Sequence, residues 1–382
     1  MPRRSLGKTR RLVVKVGTGT LTDAAGRFDR HNCDRLAGEL ADLMGTRGVV
    51  LVSSGAIALG ADRLGLVRSP RKSWDIATKQ AAAAVGQPDL MAAWGRALGS
   101  RGRTVAQVLL TADDLASRKR FLNARHTFEA LLDRGVLPVV NENDTVAVDE
   151  IKVGDNDSLA ALVATCVGAD LVALLTDVDG LYDRDPRHPA ARLVADVHKV
   201  TAEVERMAGG AGSERSTGGM ATKVAAAKRL AAQGVGTALL SGRRPGALAA
   251  LLDGQPVGTY FGPAAERRAG RREWLTLAAR GRGTILVDAG ARKALSEQGK
   301  SLLPSGILGV EGSFGVGDPV DIAVAGEPPF ARGLAGYGAD EVRRIAGLKS
   351  SEIERALGYK YLDEVIHRND MVLTDPGREA SA

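Results

Sequence analysis

The stretch NENDTVAVDEIKVGDNDSLAAL, residues 141–162, holds Asn141, Glu142, Asn143, Asp144, Asp149, Glu150, Asp155, Asn156 and Asp157, with Lys152 its single cation. Residues of these types can bind a charged small molecule: carboxylates accept from an ammonium, and amides both donate and accept. The plainer reading is a solvated loop before the apolar helix that begins in GDNDSLAAL, with Asp157 as its N-cap. Cations that could meet an anion lie elsewhere. Lys15 closes an apolar run in VVKVGTGT, followed by Gly17, Thr18 and Gly19, and Lys223 lies in RSTGGMATKVAAAKRL, residues 215–230. A glycine turn lets backbone approach an anion, and a helix N-terminus offers unpaired N–H groups. Ser53, Ser54 and Gly55 in LVSSGAIALG and Thr176-Asp177 in LLTDVDGLYDRDP complete the set of turns. Each one alone reads equally well as an ordinary loop with Asx-turns or caps.

Turns like these need strands before them and helices after them. Apolar, β-branched runs occur at 11–16, 48–53, 104–110, 136–141, 171–176 and 237–241. They are continuous rather than alternating, which predicts strands buried on both faces of a mostly parallel sheet. Helical patterns fill 29–45, 75–99, 118–134 and 156–167. Alternation of this kind predicts an α/β fold, an αβα sandwich. In an open sheet of that type ligands bind beyond the carboxyl ends of the strands, where the turns above fall. The texture changes near GPAAERRAGRRE, 262–273. Beyond it come strand-like pieces at 283–288, 301–312 and 318–324 and a helix at 338–347. The expected organisation is a catalytic domain over 1–262, a linker over 263–280, a small β-rich domain over 281–372 and a tail over 373–382.

Composition narrows the function classes. The chain has 382 residues, 44% hydrophobic and 25% charged, with a net charge of +7. That suits two globular domains. Residues 283–382 carry roughly 11 basic and 15 acidic side chains, so the positive excess lies earlier in the chain. The cysteines, Cys33 and Cys166, form no CxxC pair, which argues against a disulfide framework or zinc site and for a reducing cytoplasm. The basic start has too short an apolar run for a signal peptide, and no segment approaches membrane-spanning length. The GKT at 7–9 and GKS at 299–301 lack the first glycine of a P-loop, and no GxGxxG follows the first strand.

Taken together, VVKVGTGTL, VSSGAIALG, FLNAR, VVNENDTVA, IKVGDNDSLAA, LLTDVDGLYDRDPR and STGGMATK, in this order, resemble glutamate 5-kinases of the amino acid kinase superfamily. The resemblance covers roughly residues 10 to 262, and the C-terminal part looks like the PUA domain appended to many bacterial members. Gly19 stands where the first turn often has Ser, and Ser216 where the nucleotide loop often has Gly.

The resemblance implies ATP-dependent phosphorylation of the side-chain carboxylate of L-glutamate, the first step towards proline. It implies Lys15 and Lys223 beside the transferred phosphoryl group with Asp157 organising them. It assigns Ser54, Asp144 and Asn156 to glutamate, with Asp144 on the ammonium and with Asn156 and Ser54 donating to carboxylate oxygens. It assigns Lys15, Gly17, Thr176, Asp177, Thr217, Gly218, Gly219, Met220, Ala221, Thr222 and Lys223 to ATP. Mg²⁺ is expected to arrive with ATP rather than in a protein metal site. Glu142, Asp149 and Glu150 have no role and are expected in solvated loop. The family further implies feedback inhibition by proline, a homo-oligomer (dimer or tetramer) and delivery of the product to a glutamyl phosphate reductase. Two rivals remain: a superfamily member with another acceptor, and an RNA-binding role for the PUA-like domain, against which its mildly acidic balance argues.

Overall fold

The computed structural model describes residues 3–66, 74–147, 155–209, 219–264 and 281–374. Its contacts divide the chain into two units, Met1–Ala116 with Asn123–Arg267, and Arg268–Ala382 with Ser117–Leu122.

The first unit is built on strands β1 (Arg11–Val16), β2 (Gly48–Ser53), β3 (Val105–Leu110), β4 (Leu137–Glu142), β5 (Leu171–Thr176), β6 (Asp196–Val197), β7 (Gly236–Ser241) and β8 (Thr259–Phe261). They form one sheet in the order β3-β4-β2-β1-β5-β7-β8-β6. All neighbours run parallel except β7 and β8. The αβα sandwich with a mostly parallel sheet is therefore what forms. The six strands expected from apolar runs are present with ends shifted by at most one residue. The short β6 and β8 were not expected; stretches of two and three residues are too brief to show a hydrophobic period.

Helices α1 (Thr18–Leu21), α2 (Arg30–Leu43), α3 (Ala56–Arg63), α4 (Ile76–Gly99), α5 (Ala112–Ala116), α6 (Arg118–Asp133), α7 (Asp155–Val167), α8 (Ala202–Ala208), α9 (Gly219–Ala232) and α10 (Ala247–Leu252) connect the strands. Alternation sorts each strand's side chains between two layers. Leu12, Val14 and Val16 of β1 join a core with Leu36, Ala37 and Leu40 of α2 and Leu90 and Trp94 of α4. Lys15 alternates to the other face, where α7 lies on β1 and α9 packs beside α7.

One close approach sets the site's geometry. A Cβ added to Gly86 of α4 would stand 1.9 Å from the carbonyl oxygen of Ala56, and one added to Gly60 of α3 would stand 1.7 Å from that of Ala82. The two backbones touch only because neither glycine has a side chain. Gly55, at φ +115° just before α3, also suits glycine alone, since L side chains rarely adopt that conformation.

The second unit has its own core around Ile285, Val287, Val320, Ile322, Tyr337 and Val342. Strands β9 (Gly283–Val287), β10 (Ile307–Gly312), β11 (Pro319–Val324), β12 (Ala331–Leu334) and β13 (Met371–Leu373) form a sheet in the order β10-β9-β11-β12-β13. Among the described residues the helices Ala289–Ser296, Ala339–Ile345 and Ile353–Leu357 accompany them. The expected tail begins too early, because Leu373 pairs with Ala331 and the Thr374 N–H donates to the Phe330 carbonyl. The expected linker also begins too early, since the Ala264 N–H donates to the Ala231 carbonyl. The basic cluster at 266–273 lies outside the described residues.

Gly86→Ala and Gly60→Ala should each cost about 1–3 kcal/mol or more, since a methyl group there meets backbone that cannot rotate away. Gly99→Ala, where an added Cβ meets nothing within 4 Å, is the control and should leave the protein as stable or slightly more so. Denaturant unfolding of the three variants checks this.

Candidate active site

Charge at the ends of the central strands is organised by Asp157. Its side chain is 0% exposed and lies within the first turn of α7. The Lys15 Nζ approaches one carboxylate oxygen at 2.7 Å, and the Lys223 Nζ approaches the other at 3.1 Å. Thr222 Oγ1 donates to that second oxygen at 3.0 Å. Lys223 also donates to the Gly219 carbonyl at 2.9 Å, which folds its side chain back along α9. Lys15 and Lys223 are only 4% and 8% exposed. Asp157 thus acts as a shared counter-ion. The N-cap reading fails geometrically, since both carboxylate oxygens are taken by groups from β1 and α9.

Burial by itself would push the Asp157 carboxyl up, but Lys15 and then Lys223 outweigh it and hold it below the ordinary carboxylate value. The Lys15 ammonium is also held below its ordinary value. Burial lowers its pKa most, Asp157 opposes this, and the charge of Lys223 adds to the lowering. Two lysines on one carboxylate leave an excess positive charge, which is what an approaching polyphosphate requires.

A second cluster sits beside the first and is made of neutral groups. Asn156 Nδ2 donates to Ser54 Oγ at 2.8 Å and to Asn141 Oδ1 at 3.1 Å. Asn141 Nδ2 in turn donates to Gln87 Oε1 at 2.9 Å. Close by, Trp94 Nε1 donates to Ser53 Oγ at 2.9 Å. Gln87 and Trp94 are seven residues apart on α4, so they share its buried face. Asn156 and Asp157 are consecutive. One reaches Ser54 and Asn141 on the α4 side of the strand ends, and the other reaches Lys15 on the α7 side.

The expected roles meet the structure unevenly. Asn156 was expected to donate to a carboxylate, but both its N–H hydrogens are engaged within the protein. Its Oδ1 is buried and makes no hydrogen bond, and the same holds for Gln87 Nε2. Asp144 is half-buried in the turn after β4, three residues beyond Asn141. Thr176 Oγ1 donates to the carboxylate of its neighbour Asp177 at 3.0 Å, at the end of β5. Gly17 donates its N–H to the Leu175 carbonyl and has φ −76°, and an added Cβ would stand 3.6 Å from Lys15 Nζ. Its value is therefore space beside Lys15 rather than a backbone shape only glycine can take. A Cβ at Gly19 would meet Asp177 Oδ2 at 3.5 Å, an ordinary contact, so the departure from Ser is neutral in space.

Gly219 and Met220 are half-buried at the start of α9, and Ala221 is exposed. Thr217, Gly218 and Ser216 lie outside the described residues, as do Asp149, Glu150 and Lys152. Glu142 is the half-buried last residue of β4 rather than part of a solvated loop. Sequence reasoning gave no role to Gln87, Asn141 or Trp94, and placed Thr222 only with the nucleotide. The available signals were faint: one amide in the Ala-rich run AAAAVGQPDL and one closing the apolar run VLPVVN.

Residues 10–240 match the amino acid kinase family, and residues 283–357 match the PUA domain. A protein of Anaeromyxobacter dehalogenans (strain 2CP-C), named glutamate 5-kinase, is 73% identical over 379 residues, which cover 99% of this chain and 100% of that one. The chain belongs to the glutamate 5-kinase family. Proteins of the same name from Myxococcus xanthus (strain DK1622) and Trichlorobacter lovleyi are 54% and 52% identical. Those matches cover 97% and 98% of this chain and 98% and 99% of the relatives. In this glutamate 5-kinase family member the lysine–aspartate–lysine cluster, the three linked amides and Ser54 fall inside the amino acid kinase segment.

Asp157→Asn should destabilise the fold by about 3–5 kcal/mol near neutral pH, because it leaves two buried cations without their counter-ion. The folded-state carboxyl lies below its unfolded value. Its contribution is therefore complete above about pH 4 and is lost as pH falls through the lower folded value. The stability gap between wild type and Asp157→Asn should narrow with acidification below about pH 4, as read by urea unfolding across pH.

Proposed function

We propose that this protein transfers the γ-phosphoryl group of ATP to the side-chain carboxylate of L-glutamate, giving L-glutamyl 5-phosphate and ADP as the first step of proline biosynthesis. The observation that carries this reading is the pair of buried lysines on Asp157, set next to a cluster of neutral hydrogen-bonding groups. The first suits a phosphoryl group, the second a small polar acceptor.

The chemistry needs no general base. A carboxylate of pKa near 4.3 is ionised at neutral pH. One of its oxygens forms the new bond to the γ-phosphorus as the bond to the β,γ-bridging oxygen breaks, and ADP leaves with that electron pair. The barrier is the approach of one anion to another. Lys15, from the end of β1, and Lys223, from the first turns of α9, stabilise charge on the transferred group. Asp157 is a positioning residue that keeps the two ammonium groups charged and close. Gly17 leaves room for the phosphates next to Lys15, and Thr176, Asp177 and residues 217–223 form the nucleotide side. Ser54 and Asn156 contact glutamate, and Asp144 takes its ammonium. Both Asp157 oxygens face the lysines and none is left over for a metal, which fits Mg²⁺ brought in on the nucleotide. An ion carried in this way would supply charge neutralisation on the transferring phosphate.

The same reading makes the protein a homo-oligomer that proline inhibits at the glutamate site and that passes its labile acyl phosphate to a reductase. No described helix is long and apolar enough to cross a membrane; the cytoplasmic location belongs to the same reading.

Hydroxylamine traps acyl phosphates. Hydroxamate should form with ATP, Mg²⁺ and L-glutamate but not with L-aspartate, and kcat should drop by about 100-fold or more in Lys15→Ala and Lys223→Ala. Hydroxamate with aspartate, or lysine variants of wild-type rate, would overturn the reading. Proline should raise the apparent KM for glutamate with little change in kcat; indifference to millimolar proline would remove the inhibition from the proposal.

A further inference from the structure

The turn after β1 sets Gly17 beside Lys15, and every carbonyl from Gly17 to Thr22 is engaged inside the protein. Local groups take some of them. The Thr20 N–H donates to Gly17, the Thr22 hydroxyl to Thr18 and the Asp29 N–H to Leu21. Side chains from farther along the chain take the others. Asn32 Nδ2, in the first turn of α2, donates to the Thr20 carbonyl at 2.7 Å. Arg243, in the turn after β7, donates through Nη2 to the Gly19 and Thr22 carbonyls at 2.8 and 2.6 Å.

Asn32 reaches beyond this turn. Its Nδ2 also donates to the Gly242 carbonyl at 3.2 Å, and the Gly242 N–H donates to the Thr176 carbonyl at 2.7 Å. Strands β1 and β7 flank β5 in the sheet. Asn32 therefore bridges the turns after β1 and β7 across the end of β5, where Thr176 and Asp177 lie. The turns are in contact: a Cβ added to Gly242 would stand 2.4 Å from Thr20 Cγ2.

The Asn32 amide has one orientation. Both groups that face its nitrogen are carbonyls, which only accept. Its Oδ1 accepts from Arg35 Nε at 3.0 Å and Nη2 at 2.6 Å, and a guanidinium only donates. Arg35 is held in turn by Glu39, whose Oε1 accepts from the Gly246 N–H at 3.1 Å. Turned over, the amide would set oxygen against two carbonyl oxygens and nitrogen against a cation. Asn32 is 6% exposed, so water does not repair a lost bond there.

We propose that Asn32 is a positioning residue for the phosphate end of the nucleotide: by joining the Thr20 and Gly242 carbonyls it sets the spacing between the Gly17 turn beside Lys15 and the Thr176–Asp177 end of β5. The role deepens the ATP reading above and rests on it. Asn32 acts through the main chain of these turns and touches no substrate. The sheet order separates this bridge from the groups assigned to glutamate. Ser54 and Asn141 lie at the ends of β2 and β4, on the other side of β1 from β5 and β7. Loss of the bridge therefore acts on ATP and spares glutamate.

The test uses Asn32→Ala, Asn32→Asp and Arg243→Ala in the full-length protein. Asn32→Asp keeps the side chain's size and its acceptor but replaces the donor that faces both carbonyls. Arg243 is half-exposed, so its replacement loosens the same turn with little risk to folding. The Kd of Mg²⁺-ATP is read by calorimetry, and KM for glutamate, kcat and Tm are read beside it. Both Asn32 variants should weaken ATP binding by about 10-fold or more and leave the KM for glutamate within about 3-fold. Arg243→Ala should weaken ATP binding by about 3–10-fold at nearly unchanged Tm. Wild-type ATP affinity in Asn32→Ala would overturn the inference. So would wild-type affinity in Asn32→Asp, which would make the role one of volume, or equal losses for ATP and glutamate with a fall in Tm, which mark a merely structural role. Wild type that binds ATP but turns over no glutamate sinks the acceptor reading alone, and the ATP Kd values of the variants then decide this inference. Wild type that binds no ATP sinks both.

Discussion

Everything at the strand ends depends on one buried carboxylate carrying two ammonium groups. Either lysine alone in that position would be expensive, because removing a charge from water costs several kcal/mol even after relaxation. Both together without Asp157 would also repel each other. With Asp157 between them, each cation has a partner at 2.7 or 3.1 Å, and the three groups keep a net positive charge. Full neutralisation would have been more comfortable for the fold and less useful to a phosphate. The lowered pKa of Lys15 shows that burial is only partly offset. The site stores that cost ahead of the substrate's arrival.

Helix α7 is the element that joins the two kinds of chemistry. Asn156 and Asp157 are adjacent in the chain, yet one engages polar side chains of the α4 face and the other a lysine of the opposite face. A helix beginning just beyond the strand ends is placed to do this, since its first turn overlooks the sheet's edge from above. Any displacement of α7 would disturb both clusters at once. The amide cluster and the lysine pair are thereby tied to a single helix start.

The α3–α4 contact supports this from below. Gly60 and Gly86 bring the two helices to backbone contact, and α4 then sets Gln87 and Trp94 against Asn141 and Ser53. Small residues here serve precision. A looser crossing would carry Gln87 away from the end of β4 and break its hydrogen bond with Asn141.

Much of this was written in residue order. Continuous apolar runs marked the strands because a buried parallel sheet needs both faces apolar, and the turns after them carried Lys15, Ser54, Thr176 and Asp177. The motifs were enough to connect Lys15, Asp157 and Lys223, although 142 positions separate the first of them from the second. Nothing local disclosed which atoms face which. That Asn156 meets Ser54 and Asn141, and Asn141 meets Gln87, depends on three other elements. Gln87 lies in an Ala-rich helix where a single amide has no periodic meaning. Residue types and the order of the motifs gave the expectation of a site for an anion and a zwitterion. The direction of the hydrogen bonds was decided only when the tertiary structure brought those elements together, because an amide donates or accepts according to its partner.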